Sequence, residues 1–179
     1  FKINNSYLVI SQHPVVTELN ESLNQIQKTF EALDEFKLPT FWILPNIDAG
    51  NSSAYNFLQK NIKNANYPLF LINSMPLELY ATLIANSKCL IGNSSSGIRE
   101  SSYLGVPSVN IGKRQFGRLR GPNTIDCSHS VKRIREAIRT QINHGKYNSS
   151  NIYGEGNSGE LISNFLAKCD LFLDKTITY

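Results

Sequence analysis

The sequence predicts an α/β fold in which a parallel sheet carries helices on both faces. Short β-branched or aromatic runs, of which Tyr7-Leu8-Val9-Ile10 is the first, alternate with longer stretches whose apolar residues recur every three or four positions. Each run is almost continuously apolar, as a strand covered on both faces requires. The residues that follow the runs are polar, and in a parallel sheet they all gather at one edge, where such sheets bind ligands.

Taken in order, Tyr7-Leu8-Val9-Ile10 is a strand ending in Ser11-Gln12-His13-Pro14. Thr17 opens a helix predicted to run to about Phe36, with Leu19, Leu23, Ile26, Phe30 and Leu33 on its core face. Thr40-Phe41-Trp42-Ile43-Leu44 is the second strand, halted by Pro45, and Asn46 lies in the loop beyond it. A helix over 53–61 precedes the third strand, Leu69-Phe70-Leu71-Ile72. Asn73-Ser74-Met75 then leads into a helix with Pro76 near its start and Leu77, Tyr80, Leu83 and Ile84 as its apolar face.

The fourth strand, Cys89-Leu90-Ile91, stops at Gly92, and Asn93-Ser94-Ser95-Ser96-Gly97 follows before a helix that carries Arg99 and Glu100. One helix cap needs one hydroxyl. Three serines between two glycines suit an anion bound at a helix N-terminus, where unpaired N–H groups and the macrodipole favour negative charge. Val106 to Ile111 supplies a fifth strand, residues 112–123 a basic loop with Lys113, Arg114, Arg118 and Arg120, and residues 124–127 a short sixth strand. Val131, Ile134, Ile138 and Ile142 mark a helix; residues 145–156 form a polar loop; Leu161, Ile162, Phe165 and Leu166 mark a last helix.

The chain has 179 residues, enough for one well-buried domain, and neither a membrane-spanning run nor an internal repeat is present. A net charge of +4 suits an anionic small ligand and does not point to nucleic acid. Cys89, Cys127 and Cys169 lack CxxC spacing and cannot all pair, which fits reduced thiols in a cytoplasmic protein. Neither a GxGxxG nor a GxxxxGK[ST] pattern occurs, so no dinucleotide fingerprint or P-loop explains the anion site. The three histidines share no metal-ligand spacing, and no metal is expected. His13, on the ligand edge, is placed to donate to a phosphate or to transfer a proton. Glu100 suits a ribose diol, and Arg114 a second phosphate. The start at Phe1, without an initiator Met, suggests a piece of a longer protein.

Ile10-Ser11-Gln12-His13-Pro14, Pro45-Asn46-Ile47-Asp48-Ala49-Gly50, the stretch from Ile91 to Glu100 and Asn151-Ile152-Tyr153-Gly154-Glu155-Gly156-Asn157 resemble, in order, the C-terminal half of the hydrolysing UDP-N-acetylglucosamine 2-epimerases. The resemblance implies one Rossmann-like UDP-binding domain over 1–179, the second half of a two-domain GT-B-type fold whose N-terminal domain is absent. It implies a reaction in which UDP is eliminated from UDP-N-acetylglucosamine or a UDP-2,4-diacetamido sugar and water adds to the resulting glycal, giving a free N-acetylmannosamine-type sugar, with no cofactor. Carried over, His13 contacts the diphosphate as the catalytic candidate, Asn46 helps to set the nucleotide and Met75 meets uracil through its backbone. Ser94 and Ser95 hold phosphate, Glu100 the ribose, and Arg114 lines the site. Asn73 and Ser74 replace a Lys-His pair of the animal members' CMP-sialic acid site, so that inhibition is not expected. The partners implied are a UDP-sugar, UDP, the missing domain and other copies of the full-length chain. The rival reading is a nucleotide-sugar-binding domain of a GT-B glycosyltransferase.

Overall fold

The computed structural model describes residues 6–44 and 51–170. Within them, strands β1 (Leu8–Ser11), β2 (Thr40–Ile43), β3 (Leu69–Ile72), β4 (Cys89–Gly92), β5 (Ser108–Ile111) and β6 (Thr124–Cys127) form one sheet. The order is β3-β2-β1-β4-β5-β6, and every neighbouring pair is parallel. The helices are α1 (Ser22–Leu33), α2 (Asn51–Asn61), α3 (Leu77–Ala85), α4 (Glu100–Leu104), α5 (Val131–His144) and α6 (Ser158–Leu166). The α/β sheet read from the sequence is the sheet observed.

Side chains alternate across the strands and divide the core in two. Leu8 and Ile10 face a core shared with Trp42, with Ile26 and Leu33 of α1 and with Ile134 and Ile138 of α5. Val9 points the other way, to Tyr7, Leu90, Val106 and Ile84 of α3. Each such side chain contributes about 1.5–3 kcal/mol by leaving water. This clamps both faces and leaves the strand ends to carry function. All three cysteines are free thiols, and burial pushes Cys89 up and Cys127 up to about 12.

The structure departs from the sequence reading at several helices. The stretch from Thr17 is a 3-10 segment, Val16–Glu21, kinked at Glu18, and α1 begins only at Ser22. The Glu18 carboxylate accepts from Gln25 Nε2 at 2.7 Å, and Leu19 is left exposed. Phe36 closes a turn onto the Leu33 carbonyl, and Lys37 adopts a positive φ of 52°, so the helix ends before Phe36. Helix α2 starts at Asn51, two residues earlier than expected. On α3, Ile84 is buried and Tyr80 and Leu83 pack on the second core, but Leu77 is exposed. On α6, Leu161, Ile162, Phe165 and Leu166 are exposed by 60%, 58%, 68% and 50%. Among the described residues no helix is long and apolar enough to cross a membrane.

Candidate functional site

The sheet order reverses between β1 and β4, because the first three strands wind one way from β1 and the later ones wind the other. Loops at such a switch point diverge to opposite faces and leave a crevice at the carboxyl ends. The loops that flank it here carry His13 and the serine turn.

Close packing of those two ends explains Gly92. Its φ is +135°, and a Cβ there would lie 2.2 Å from the Ser11 carbonyl oxygen. That same oxygen accepts from the N–H groups of Asn93 (3.1 Å) and Ser94 (3.2 Å). The end of β1 is thus stitched to the start of the turn.

Asn93, 1% exposed, joins the rest. Its Oδ1 accepts from the His13 N–H at 2.7 Å, and its Nδ2 donates to the His13 carbonyl at 2.8 Å. Its own carbonyl accepts from Arg114 Nη1 at 3.0 Å and from Gln115 Nε2 at 2.7 Å. Three loops, after β1, β4 and β5, therefore meet on one residue. The His13 Nε2 lies 3.4 Å from Ser11 Oγ, a long contact whose direction depends on the tautomer. Gln12 is 1% exposed, and neither polar atom of its side chain has a hydrogen-bond partner among the described residues.

The turn itself differs from the expected helix N-terminus. Ser95–Gly97 is a 3-10 turn, and α4 is a separate helix of 5 residues. Ser101 Oγ donates to the Gly97 carbonyl at 2.7 Å and Thr124 Oγ1 approaches it at 3.2 Å, a competition that breaks continuous α-helix. So short a helix offers little macrodipole, and the amides of Asn93 and Ser94 are already engaged by Ser11. Ser94 Oγ caps the turn by accepting from the Ser96 N–H at 3.3 Å. The side chains this edge offers an anion are the serine hydroxyls and the Arg114 guanidinium.

The predicted residues fall into two groups. His13, Ser94, Ser95 and Arg114 are brought together around Asn93. Glu100 stands at the exposed start of α4, on a groove of about 490 Å³ lined also by Ala81, Arg99, Tyr103 and Tyr153. Tyr153 orders that groove: its ring lies 5.6 Å from the Arg99 guanidinium carbon, and its hydroxyl donates to the Leu119 carbonyl at 2.8 Å. Met75, half-buried, sits on the same sheet edge between β3 and α3. Asn46 lies outside the described residues.

Sequence reasoning missed Gln115 and the role of Asn93; an amide directly after the strand-ending glycine was the available signal. His129 packs against the residue that follows β5. Its Nε2 would meet a Cβ on Gly112, at the end of β5, at 2.4 Å. Burial lowers its pKa below 6.5, with Glu18 opposing and Lys28 adding to the shift.

A parallel sheet in the order 3-2-1-4-5-6, with polar loops interlocked at its switch point, defines a doubly wound α/β domain of the kind that binds ligands across that crevice. The chain belongs to the UDP-N-acetylglucosamine 2-epimerase family, whose model matches residues 2–167. A UDP-N-acetylglucosamine 2-epimerase of Neisseria meningitidis serogroup B is 31% identical over 153 residues, 86% of this chain and 40% of that protein. A hydrolysing UDP-N,N'-diacetylbacillosamine 2-epimerase of Legionella pneumophila is 31% identical over 170 residues, 89% of this chain and 45% of that protein. The UDP-GlcNAc 2-epimerase of Methanocaldococcus jannaschii, solved with UDP-GlcNAc and UDP, superposes with a TM-score of 0.70 at 18% identity. That match covers 92% of this chain and 46% of that one, and at such identity it is a likeness of fold. The chain spans less than half the length of these relatives.

Proposed function

We propose that this chain is the UDP-binding half of a hydrolysing 2-epimerase that acts on a UDP-linked 2-acetamido sugar. The observation that carries the reading is the convergence of the His13 loop, the Ser94-Ser95 turn and Arg114 on Asn93 at the switch point. Ser94, Ser95 and Arg114 hold the diphosphate, Glu100 takes the ribose diol, and Met75 and Asn46 meet the base end. His13 donates to the β-phosphate oxygen as it leaves.

In the reaction, a base removes the C2 proton, the C1–O bond breaks and UDP departs with the bonding pair, leaving a 2-acetamidoglycal with its double bond between C1 and C2. Water then adds across that bond, hydroxyl to C1 and proton to the opposite face of C2. Charge grows on the β-phosphate only as the bond breaks, so a donor there lowers the barrier more than it tightens ground-state binding. The proton chemistry at C2 belongs to the preceding half of the complete protein, and the isolated chain is inactive. The hydrolysing relative supports the hydrolysing branch over the one that retains UDP on the sugar.

Two measurements test this. Calorimetry on the chain should show UDP binding well above uridine, and replacing Ser94 and Ser95 by leucine should weaken UDP far more than uridine, since each charge-assisted hydrogen bond is worth about 1.5–3 kcal/mol. Product analysis of the complete protein without acceptor should give free 2-acetamido sugar plus UDP. A UDP-linked epimer would place it in the non-hydrolysing branch, and turnover only with a sugar acceptor would make it a transferase.

A further inference from the structure

We infer that Asn93 is a positioning residue that fixes where the His13 loop stands in the crevice, an inference that rests on the reading of that crevice given above. The carboxamide takes both the N–H and the C=O of His13, at 2.7 and 2.8 Å. Two antiparallel hydrogen bonds between planar groups set distance and rotation together, which a single bond does not. The donors and acceptors on His13 also fix which end of the carboxamide is oxygen.

The main chain of Asn93 is held just as firmly. Its N–H is anchored on the Ser11 carbonyl, and its carbonyl gathers Arg114 and Gln115. Asn93 therefore refers the His13 loop to the same point that holds Arg114. At 1% exposure it acts through His13 and not on a ligand. Gln115, 1% exposed and donating to the same carbonyl, stiffens the arrangement from the β5 side. An imidazole assisting a leaving phosphate must be placed to within a fraction of an ångström, and small misplacement is expensive in rate.

The test uses the complete protein, with Asn93→Ala and Asn93→Asp made alone and in a His13→Ala background. Asn93→Ala should lower kcat on the order of 10²-fold, with KM for the UDP-sugar changing by less than about threefold. In the His13→Ala background the same change should lower kcat by less than about twofold, because residues acting as one unit are not additive. Asn93→Asp keeps the shape and the acceptor but sets a carboxylate oxygen against the His13 carbonyl, so it should not rescue the rate. In hydrogen exchange, the His13 amide should lose protection in Asn93→Ala while Val9 and Ile10 keep theirs.

Equal losses in both backgrounds, a kcat within a few-fold of the parent or a His13 amide that stays protected would overturn the inference. If Asn93→Ala does not fold, the nearly isosteric Asn93→Asp is read by its loss of kcat in the two backgrounds alone, because it keeps the acceptor for the His13 amide; unfolding of both would make Asn93 a stability residue and overturn it too. A parent protein that binds no UDP and turns over no UDP-sugar fails the functional reading instead, and the exchange result then decides alone whether Asn93 holds the loop.

Discussion

Helices α5 and α6 both repeat apolar residues at three- and four-residue spacing, yet Ile134 and Ile138 of α5 are fully buried while Leu161 and Phe165 of α6 stand 60% and 68% exposed. Helix α5 lies against the β4-β5-β6 side of the sheet and beside α1, and its one polar intruder is satisfied. Gln141 Nε2 donates to the Ser108 and Asn123 carbonyls, both at 2.7 Å, and its Oε1 accepts from the Tyr147 hydroxyl at 2.7 Å. Helix α6 meets no such surface among the described residues. An amphipathic pattern states that a face is suited to burial. It does not state that this stretch of chain supplies the cover.

The comparison breaks most easily at Ile138. Ile138→Ala should destabilise the chain by about 2–5 kcal/mol, since it removes a fully buried side chain from a packed core. Denaturant unfolding would measure it, and a loss below 1 kcal/mol on the order-of-magnitude scale of core deletions would mean α5 is loosely packed.

Gln141→Leu comes next, at about 1–3 kcal/mol, because it removes a donor from the Ser108 and Asn123 carbonyls and takes the acceptor from the Tyr147 hydroxyl. If stability is unchanged, water replaces the amide and the network is not structural.

A smaller effect concerns His129, just ahead of α5. Its folded pKa is depressed by burial, so the unfolded chain binds the proton more readily. Stability is therefore full above the unfolded value of 6.5 and falls as pH drops through it. His129→Gln should flatten the melting temperature between about pH 7 and pH 5. An equally steep slope in the variant would assign that loss to other groups.

Phe165→Ser should change the unfolding free energy of the chain least, by less than about 0.5 kcal/mol, because the ring is already in water. It should instead reduce self-association in sedimentation or light scattering, as removal of an exposed apolar patch does. A destabilisation as large as that of Ile138→Ala would show that α6 is packed in solution.

The strands were legible because each is a short apolar run ended by Gly, Pro or a polar cluster, and all six of them form. The helix starts were not, because local hydroxyl and carboxylate bonds redirect the backbone: Glu18 to Gln25 kinks the entry to α1, and Ser101 with Thr124 at the Gly97 carbonyl separates the serine turn from α4. In the crevice, the residue types that face it were readable from their place after strands. The hub that joins them was not, since Asn93 and His13 lie 80 positions apart, and Asn93 and Gln115 22 apart.

The sequence by itself therefore determined the α/β class, the six strands, the edge on which polar residues collect and the family resemblance, because apolar periodicity and strand-end chemistry are local properties of the chain. Only the tertiary structure decided which apolar faces find cover and which loops share a partner. The strand order brings β1 beside β4, and with it Ser11 against Gly92 and His13 onto Asn93. Contacts of that kind depend on how distant segments are laid side by side, and no periodicity along the chain encodes them.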